Sequence, residues 1–167
     1  IIPSAKAVNL TMNRDRIRDR AKNLGLKTAD FSYAETEEEL ILEAKKIGTK
    51  VAIKPVMSSS GKGKSYAISE EDLKKAWKFA IDGMRGDRKR VIVEEFIDFE
   101  YEITLLTVLE KSGNVTFCDP IGHFQERGDY QESWQPMNMN QALLIEAQNM
   151  AEKVTNSLVG AGIWGVE

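Results

Sequence analysis

The stretch Ser58-Ser59-Ser60-Gly61-Lys62-Gly63-Lys64 gathers serines, glycines and lysines whose backbone N–H groups and ammonium charges can approach an anion closely. That combination suits phosphate. Gly63-Lys64-Ser65 looks like the end of a Walker A loop, but the position five before Gly63 is Ser58 rather than glycine, and the residues that follow read as a strand instead of a helix. What remains is a glycine-rich hairpin that would lie over a triphosphate as a lid and exclude water when closed. On local composition alone, a mobile Ser/Gly-rich surface hairpin stays open as the alternative.

Lys54 sits four residues ahead of that loop, inside an otherwise apolar run, and shares a strand face with Ala52 and Val56. A lysine there wants an anion, unless it snorkels to water from the strand end. The acids Glu94, Glu95, Asp98, Glu100 and Glu102 line a strand and the connection after it. Such a link can offer backbone groups to a base and carboxylates to ribose hydroxyls; for any one of these acids, solvent exposure is the simpler reading. Glu167 ends an apolar strand, where a hard oxygen ligand for Mg²⁺ is plausible chemistry, although one carboxylate is not a site. His123, with Gln125, Glu126, Asp129, Tyr130 and Glu132 nearby, suits a structural or substrate-loop role better than proton transfer.

The elements that must position these groups follow from periodicity. Asn13 can cap a helix with Ile17, Ala21 and Leu24 at helical spacing, stopped by Gly25; its arginines and Lys22 alternate with acids, which reads as a solvated face. A short strand near Phe31 to Tyr33 precedes a helix opened by the capping box Thr36/Glu39, with Leu40, Ala44 and Ile47 as its buried stripe. Lys50 to Val56 reads as a strand, with Pro55 ending its pairing or marking an edge. Beyond the loop, Ser65 to Ile68 returns as a strand. Ser69 and Asp72 then open a helix facing a core through Leu73, Ala76, Trp77, Ala80 and Met84, and Val91 to Glu95 forms the next strand. Glu102 to Leu109 and Val115 to Gly122 read as a hairpin, His123 to Pro136 as a polar loop, and Asn140 to Leu158 as a helix with Leu143, Ala147, Met150, Val154 and Leu158 on one face. Gly162 to Glu167 reads as a strand with no partner after it. Both ends look cut, so the expectation is a fragment.

Composition narrows the classes. With 167 residues, 42% hydrophobic, the chain can bury a core, and its net charge of −3 supplies no global field for nucleic acid or an anionic membrane. The single Cys118 excludes an intramolecular disulfide, and with one His it leaves no structural zinc set. No apolar run approaches a membrane span.

The run from Lys54 to Gly63, then Glu102 to Val108, Gly122-His123 with Gln125-Glu126, and Gly128-Asp129-Tyr130 followed by Glu132-Ser133-Trp134-Gln135-Pro136 together resemble the formate-dependent phosphoribosylglycinamide formyltransferases of purine biosynthesis, which are ATP-grasp enzymes. The resemblance implies an α+β (α/β) fold with ATP between two lobes: residues 1–25 as the tail of an N-terminal lobe, 26–95 as the small lobe, and 96–167 as the first part of the large lobe. It implies that Arg14 and Lys54 address the phosphates, that Ser59, Ser60, Gly61, Lys62, Gly63 and Lys64 form the lid, and that the backbone of Glu94, Glu95, Phe96 and Ile97 reads the adenine edge. Glu102 would hold the ribose. Glu167 matches the first of two Mg²⁺-binding glutamates, the second lying outside this chain. Glu95 departs from the small residue expected at its position. The implied cofactors are ATP and Mg²⁺, and the implied substrates are formate and glycinamide ribonucleotide. A cytoplasmic homodimer with neither nucleic acid nor membrane as partner completes the expectation. Other carboxylate-activating ATP-grasp enzymes, such as carboxyaminoimidazole ribonucleotide synthetase or biotin carboxylase, and a non-catalytic nucleotide-binding module are the alternatives.

Overall fold

The computed structural model describes residues 1–59, 61–126 and 129–167. Ser60 of the glycine-rich loop and Gly128 of the motif preceding Tyr130 lie outside the described residues. Helices α1 (Ala5–Thr11) and α2 (Arg14–Asn23) open the chain, and α1, which periodicity did not reveal, is capped by the Ser4 side chain. Asn13 occupies the N-cap of α2, but its side chain makes no capping bond; the Arg14 N–H instead donates to Val56 O at 2.8 Å. A helix start left with orphan N–H groups has thus been tied to a distant strand.

The first sheet contains β1 (Phe31–Ala34), β2 (Val51–Pro55), β3 (Ser65–Ala67) and β4 (Val91–Glu95) in the order β1-β4-β2-β3, all neighbours antiparallel. Pairing on β2 does end at Pro55, opposite Val91, but β2 lies in the middle of the sheet rather than at its edge. A terminal pair tolerates the missing N–H.

Helices α3 (Glu37–Ile47) and α4 (Glu70–Gly83) cover one face of this sheet. Both start as expected: Thr36 Oγ1 accepts from Glu39 N at 3.2 Å and Ser69 Oγ accepts from Asp72 N at 3.1 Å. The returning carboxylates reach one residue further back, Glu39 to Glu35 N and Asp72 to Ile68 N. Leu40, Ala44, Leu73, Ala76 and Ala80 meet Val51, Ile53, Val91 and Val93 in the core, with Ile47 and Trp77 packed around it. Full burial of each large side chain here is worth about 2 kcal/mol.

The second sheet is built on β5 (Glu102–Leu109), which pairs with β6 (Val115–Phe117), β7 (Ile121–Glu126) and β9 (Gly162–Val166), while β8 (Asp129–Trp134) pairs with β7. Two expectations are corrected here. The single return strand Val115 to Gly122 is interrupted after Phe117, although Cys118 N still donates to Leu106 O at 2.9 Å; Pro120, without an N–H, falls in the break. The supposed polar loop from His123 to Pro136 is largely the β7/β8 hairpin. The terminal strand β9, with no partner after it, lies antiparallel to the earlier β5 from Leu105↔Val166 to Leu109↔Gly162.

Helix α5 (Gln141–Asn156) packs on this sheet, but the face it buries is Ala151, Val154 and Thr155, with Leu158 just beyond. Leu143 is exposed, so the apolar stripe read from sequence is only partly used.

Candidate functional site

The face of the first sheet turned away from α3 and α4 carries Ala52 and Lys54 on β2 and Ile92 and Glu94 on β4, because antiparallel partners share a face. Lys54 Nζ donates to Glu94 Oε2, and Arg18 Nη2, from α2, donates to Glu94 Oε1. Glu94 is only 3% exposed, which corrects the reading of it as a solvent-exposed acid. Burial alone pushes its carboxyl up, but the adjacent Lys54 and Arg18 outweigh that and hold it below the ordinary carboxylate value. The basic face of α2 is likewise not simply solvated.

Arg14 reaches the same region from the first turn of α2. Its Nη1 donates to Pro55 O at 2.9 Å and to Ser58 Oγ at 3.0 Å, so a guanidinium sits where β2 becomes the glycine-rich loop. Burial lowers the Arg14 pKa from its ordinary value, as does Arg18, while Glu94 and Glu167 pull it the other way. Arg14, Arg18, Lys54 and Glu167 line one cavity of about 640 Å³, whose other walls come from α5 and the Trp164-Gly165-Val166 end of β9. Arg18 was not singled out from sequence. The signal was its four-residue spacing from Arg14, which puts both guanidinium groups on one helix face.

The loop itself is a pair of tight turns, with Lys62 N donating to Ser59 O and Lys64 N to Gly61 O. Gly61 and Gly63 have φ of 65° and 76°, the left-handed region that glycine adopts without penalty. Gly63 is also pinned: a Cβ there would lie 2.6 Å from Pro55 Cγ, and one at Gly83 would lie 2.5 Å from Gly63 N. The loop is thus packed tightly against the last turn of α4. Ser59, Lys62 and Lys64 do not line the cavity of Arg14 and Lys54; the link to it runs through Ser58.

At the far end of β4, Glu95 N donates to Asp30 O at 2.8 Å and Phe96 N to Lys50 O at 3.3 Å. Phe96 packs edge-on against Tyr66 with ring centroids 5.3 Å apart, and Lys50 Nζ lies over its other face. Ile97 is half exposed.

Glu102 on β5 faces His123 on β7 as a cross-strand pair, and His123, 6% exposed, meets Tyr130 edge-on at 4.9 Å between centroids. Tyr130 Oη donates to Glu167 Oε1 at 3.1 Å, which brings the end of β9 to the β7/β8 hairpin. Burial raises the Tyr130 pKa, the charge of Glu167 and the hydrogen bond to it add to that, and Glu102 contributes further. Glu132 does not join this cluster. The ladder steps from Phe124↔Glu132 to Gln125↔Tyr130, so β8 carries one residue more than β7 there, and Tyr130 and Glu132 fall on opposite faces.

Among the described residues no three His, Cys, Asp or Glu side chains converge as a metal-binding group. Glu167 is an exposed carboxylate held by one hydroxyl donor, a donor type suited to Mg²⁺ that shares its shell with phosphate oxygens and water. Among the described residues, no helix is long and apolar enough to cross a membrane.

Comparison with known proteins fits this arrangement. Residues 19–167 match the ATP-grasp domain model. The chain is 59% identical over its whole length to the formate-dependent phosphoribosylglycinamide formyltransferase of Synechococcus sp. (strain RCC307), and spans 43% of that protein. Its fold superposes with a TM-score of 0.88 on a biotin carboxylase complex from Campylobacter jejuni, at 21% identity, covering 96% of this chain and 37% of that one. A structure from Mycobacterium tuberculosis described as glycinamide-RNase-transformylase T matches at 30% identity and a TM-score of 0.73, covering 99% of this chain and 43% of that one. The chain thus spans less than half the length of these relatives. Two antiparallel sheets backed by helices, a glycine-rich turn after the central β2 and a match over most of its length together make this chain a member of the ATP-grasp family.

Proposed function

We propose that this chain supplies the nucleotide-binding part of an ATP-dependent formyltransferase. The observation that carries the reading is the convergence of Arg14 and Lys54 at the entrance of the glycine-rich loop, with Arg14 bonded to Pro55 O and Ser58 Oγ. Two cations and a turn rich in backbone N–H groups would hold the β- and γ-phosphates of ATP, with Ser59, Ser60 and Gly61 to Lys64 closing over them. The adenine edge would meet the β4 exit. There the N–H groups of Glu95 and Phe96 are already bonded within the fold, so Ile97 and the backbone carbonyls are left to read the base. Glu102 would take the ribose.

In the proposed reaction a formate oxygen attacks the γ-phosphorus of ATP, and the bond from that phosphorus to the β,γ-bridging oxygen breaks. Formyl phosphate and ADP result. The amine of glycinamide ribonucleotide then attacks the formyl carbon, inorganic phosphate leaves, and the amine gives up a proton. The first step needs positioning and charge neutralisation rather than a nucleophilic side chain. Mg²⁺, held by Glu167 and phosphate oxygens, would neutralise the phosphate charge, while closure of the loop would protect the acyl phosphate from water. Tyr130, bonded to Glu167, and His123, packed against the Tyr130 ring, would line the formate end; the face opposite them, where Glu132 lies, would not. A homodimer in the cytoplasm belongs to the same proposal.

The test is ADP release by a chain extended to the length of its relatives. Stimulation by formate and glycinamide ribonucleotide together is expected. Stimulation by bicarbonate with a different amine would move the assignment to a carboxylating ATP-grasp enzyme, and ATP binding without turnover would make it a nucleotide-binding module.

A further inference from the structure

One buried carboxylate has no part in the site described so far. Asp15, the second residue of α2, is 3% exposed and does not line the cavity that Arg14 and Arg18 line. Arg88 Nη1 lies 2.9 Å and Arg90 Nη1 3.1 Å from Asp15 Oδ2, and Arg16 N donates to Oδ1 at 2.8 Å. The Tyr33 hydroxyl donates to Asp15 O at 3.0 Å, and the Arg90 guanidinium stacks on the Tyr33 ring at 4.3 Å.

These contacts close a ring. Asp15 holds the Arg90 side chain; the Arg90 carbonyl accepts from Val56 N at 3.1 Å; the Val56 carbonyl accepts from Arg14 N at 2.8 Å; and Arg14 precedes Asp15 in the chain. The ring joins the first turn of α2, the exit of β2 and the residue just before β4. It encircles the point from which the glycine-rich loop departs and on which the Arg14 guanidinium rests.

We propose that Asp15 is a positioning residue for phosphate binding: through Arg90 and Val56 it fixes the backbone of Arg14, and so the guanidinium, at the mouth of the loop. A free guanidinium on a long side chain loses rotamer entropy when it grips a phosphate, and a helix start locked to the β2 exit removes part of that cost before the ligand arrives. The inference rests on the nucleotide reading of the site given above.

The experiment uses the chain extended to the length of its relatives and measures affinities for ATP and for inorganic tripolyphosphate in four forms: unchanged, Asp15→Asn, Arg14→Ala and the double variant. Asp15→Asn is expected to weaken both ligands about tenfold, equivalent to about 1.4 kcal/mol, and to add little once Arg14 is alanine. Asp15→Glu, which keeps the charge, should recover part of the loss. Additive losses in the double variant, or no loss from Asp15→Asn, would overturn the role, because a residue that merely stabilises the fold has no reason to act through Arg14. Should Asp15→Asn fold poorly, Arg88→Ala removes the more exposed partner and leaves Arg90; a smaller loss with the same dependence on Arg14 is expected, and independence from Arg14 counts against the proposal. Hydrogen exchange gives a ligand-free readout: the Arg14 and Val56 amides should exchange faster in Asp15→Asn while those of Ile92 and Val93 stay protected, and unchanged Arg14 exchange would overturn the clamp by itself. The nucleotide reading fails separately, if Lys54→Met leaves ATP affinity unmoved.

Discussion

Lys54 on β2 and Glu94 on β4 are diagonal neighbours on one sheet face, and the ammonium donates to a carboxylate that also takes a bond from Arg18. One almost fully buried acid therefore bridges two cations, each partly open to water. The anion that Lys54 calls for is supplied within the protein itself. Removing one partner of a buried pair leaves the other charge poorly compensated, at a cost of about 3–5 kcal/mol when nothing substitutes. Arg18 does substitute here, so Lys54→Met should lower unfolding stability by a smaller amount, about 2 kcal/mol. Urea denaturation reads this directly, and an unchanged midpoint would mean that Arg18 alone satisfies Glu94.

Gly63 should be far less tolerant than Gly48, although both lie at turns. Gly63 combines a φ of 76° with a Cβ position 2.6 Å from the Pro55 ring and 3.2 Å from Ala80 Cα, whereas nothing lies within 4 Å of a Cβ at Gly48. Gly63→Ala should cost about 2 kcal/mol or more, and Gly48→Ala less than about 0.5 kcal/mol. Gly83→Ala should follow Gly63→Ala, since its new methyl would meet the Gly63 backbone at 2.5 Å. Comparable denaturation midpoints for the Gly48 and Gly63 variants would show that the loop is not anchored to α4.

Much of this was legible before any coordinates. The capping residues Thr36 and Ser69, the buried stripes of α3 and α4, and the strands around Ile53 and Val93 follow from local chemistry that tertiary packing only confirms. Long-range facts were not legible. The three serines pointed to phosphate, but nothing local says that Arg18 reaches Glu94 across 76 positions, or that Asp15, one of several acids in a highly charged helix, is the one that is buried. The His123 to Pro136 stretch reads as a loop because it shows no apolar alternation: its buried side chain is the polar His123, while the aromatic Phe124 and Tyr130 are about half exposed. The extra residue on β8 hides the pattern further. Likewise, which strand β9 joins is not a local fact, because its partner β5 lies more than 50 residues earlier.

That extra residue sets up a prediction about Tyr130 and Glu132. Two residues apart on an unbroken strand, they would share a face; with the register step they do not, and only Tyr130 bonds Glu167. Burial and the Glu167 charge hold the Tyr130 phenol above its ordinary value. Glu167→Gln removes the second of these and should move the titration of Tyr130 down toward about 10, whereas Glu132→Gln should leave it in place. Titration of a ¹³C-labelled tyrosine signal by NMR separates the two. A downward move with Glu132→Gln would place that carboxylate on the Glu167 side and contradict the bulge.

The acid limb of stability tests the Glu94 cluster as a whole. Its folded-state pKa lies below the ordinary carboxylate value, and Lys54 and Arg18 are the cause that outweighs burial. A carboxyl whose pKa is lowered by folding binds fewer protons in the native state, so its contribution is complete above the unfolded value and disappears as pH falls through the folded one. The stability difference between the unchanged chain and Glu94→Gln should therefore be flat near neutrality, begin to shrink below about pH 4.3, and keep shrinking as the buried carboxylate itself takes up a proton. The two cations stay charged throughout, so once Glu94 is neutral they repel one another across an uncharged acid, and the unchanged chain loses its advantage over the glutamine variant. Urea midpoints measured for both forms between about pH 7 and pH 3 test this, within the carboxylate range. A difference that grew on acidification would show that desolvation, rather than the two cations, governs Glu94, and that Lys54 is not held by it.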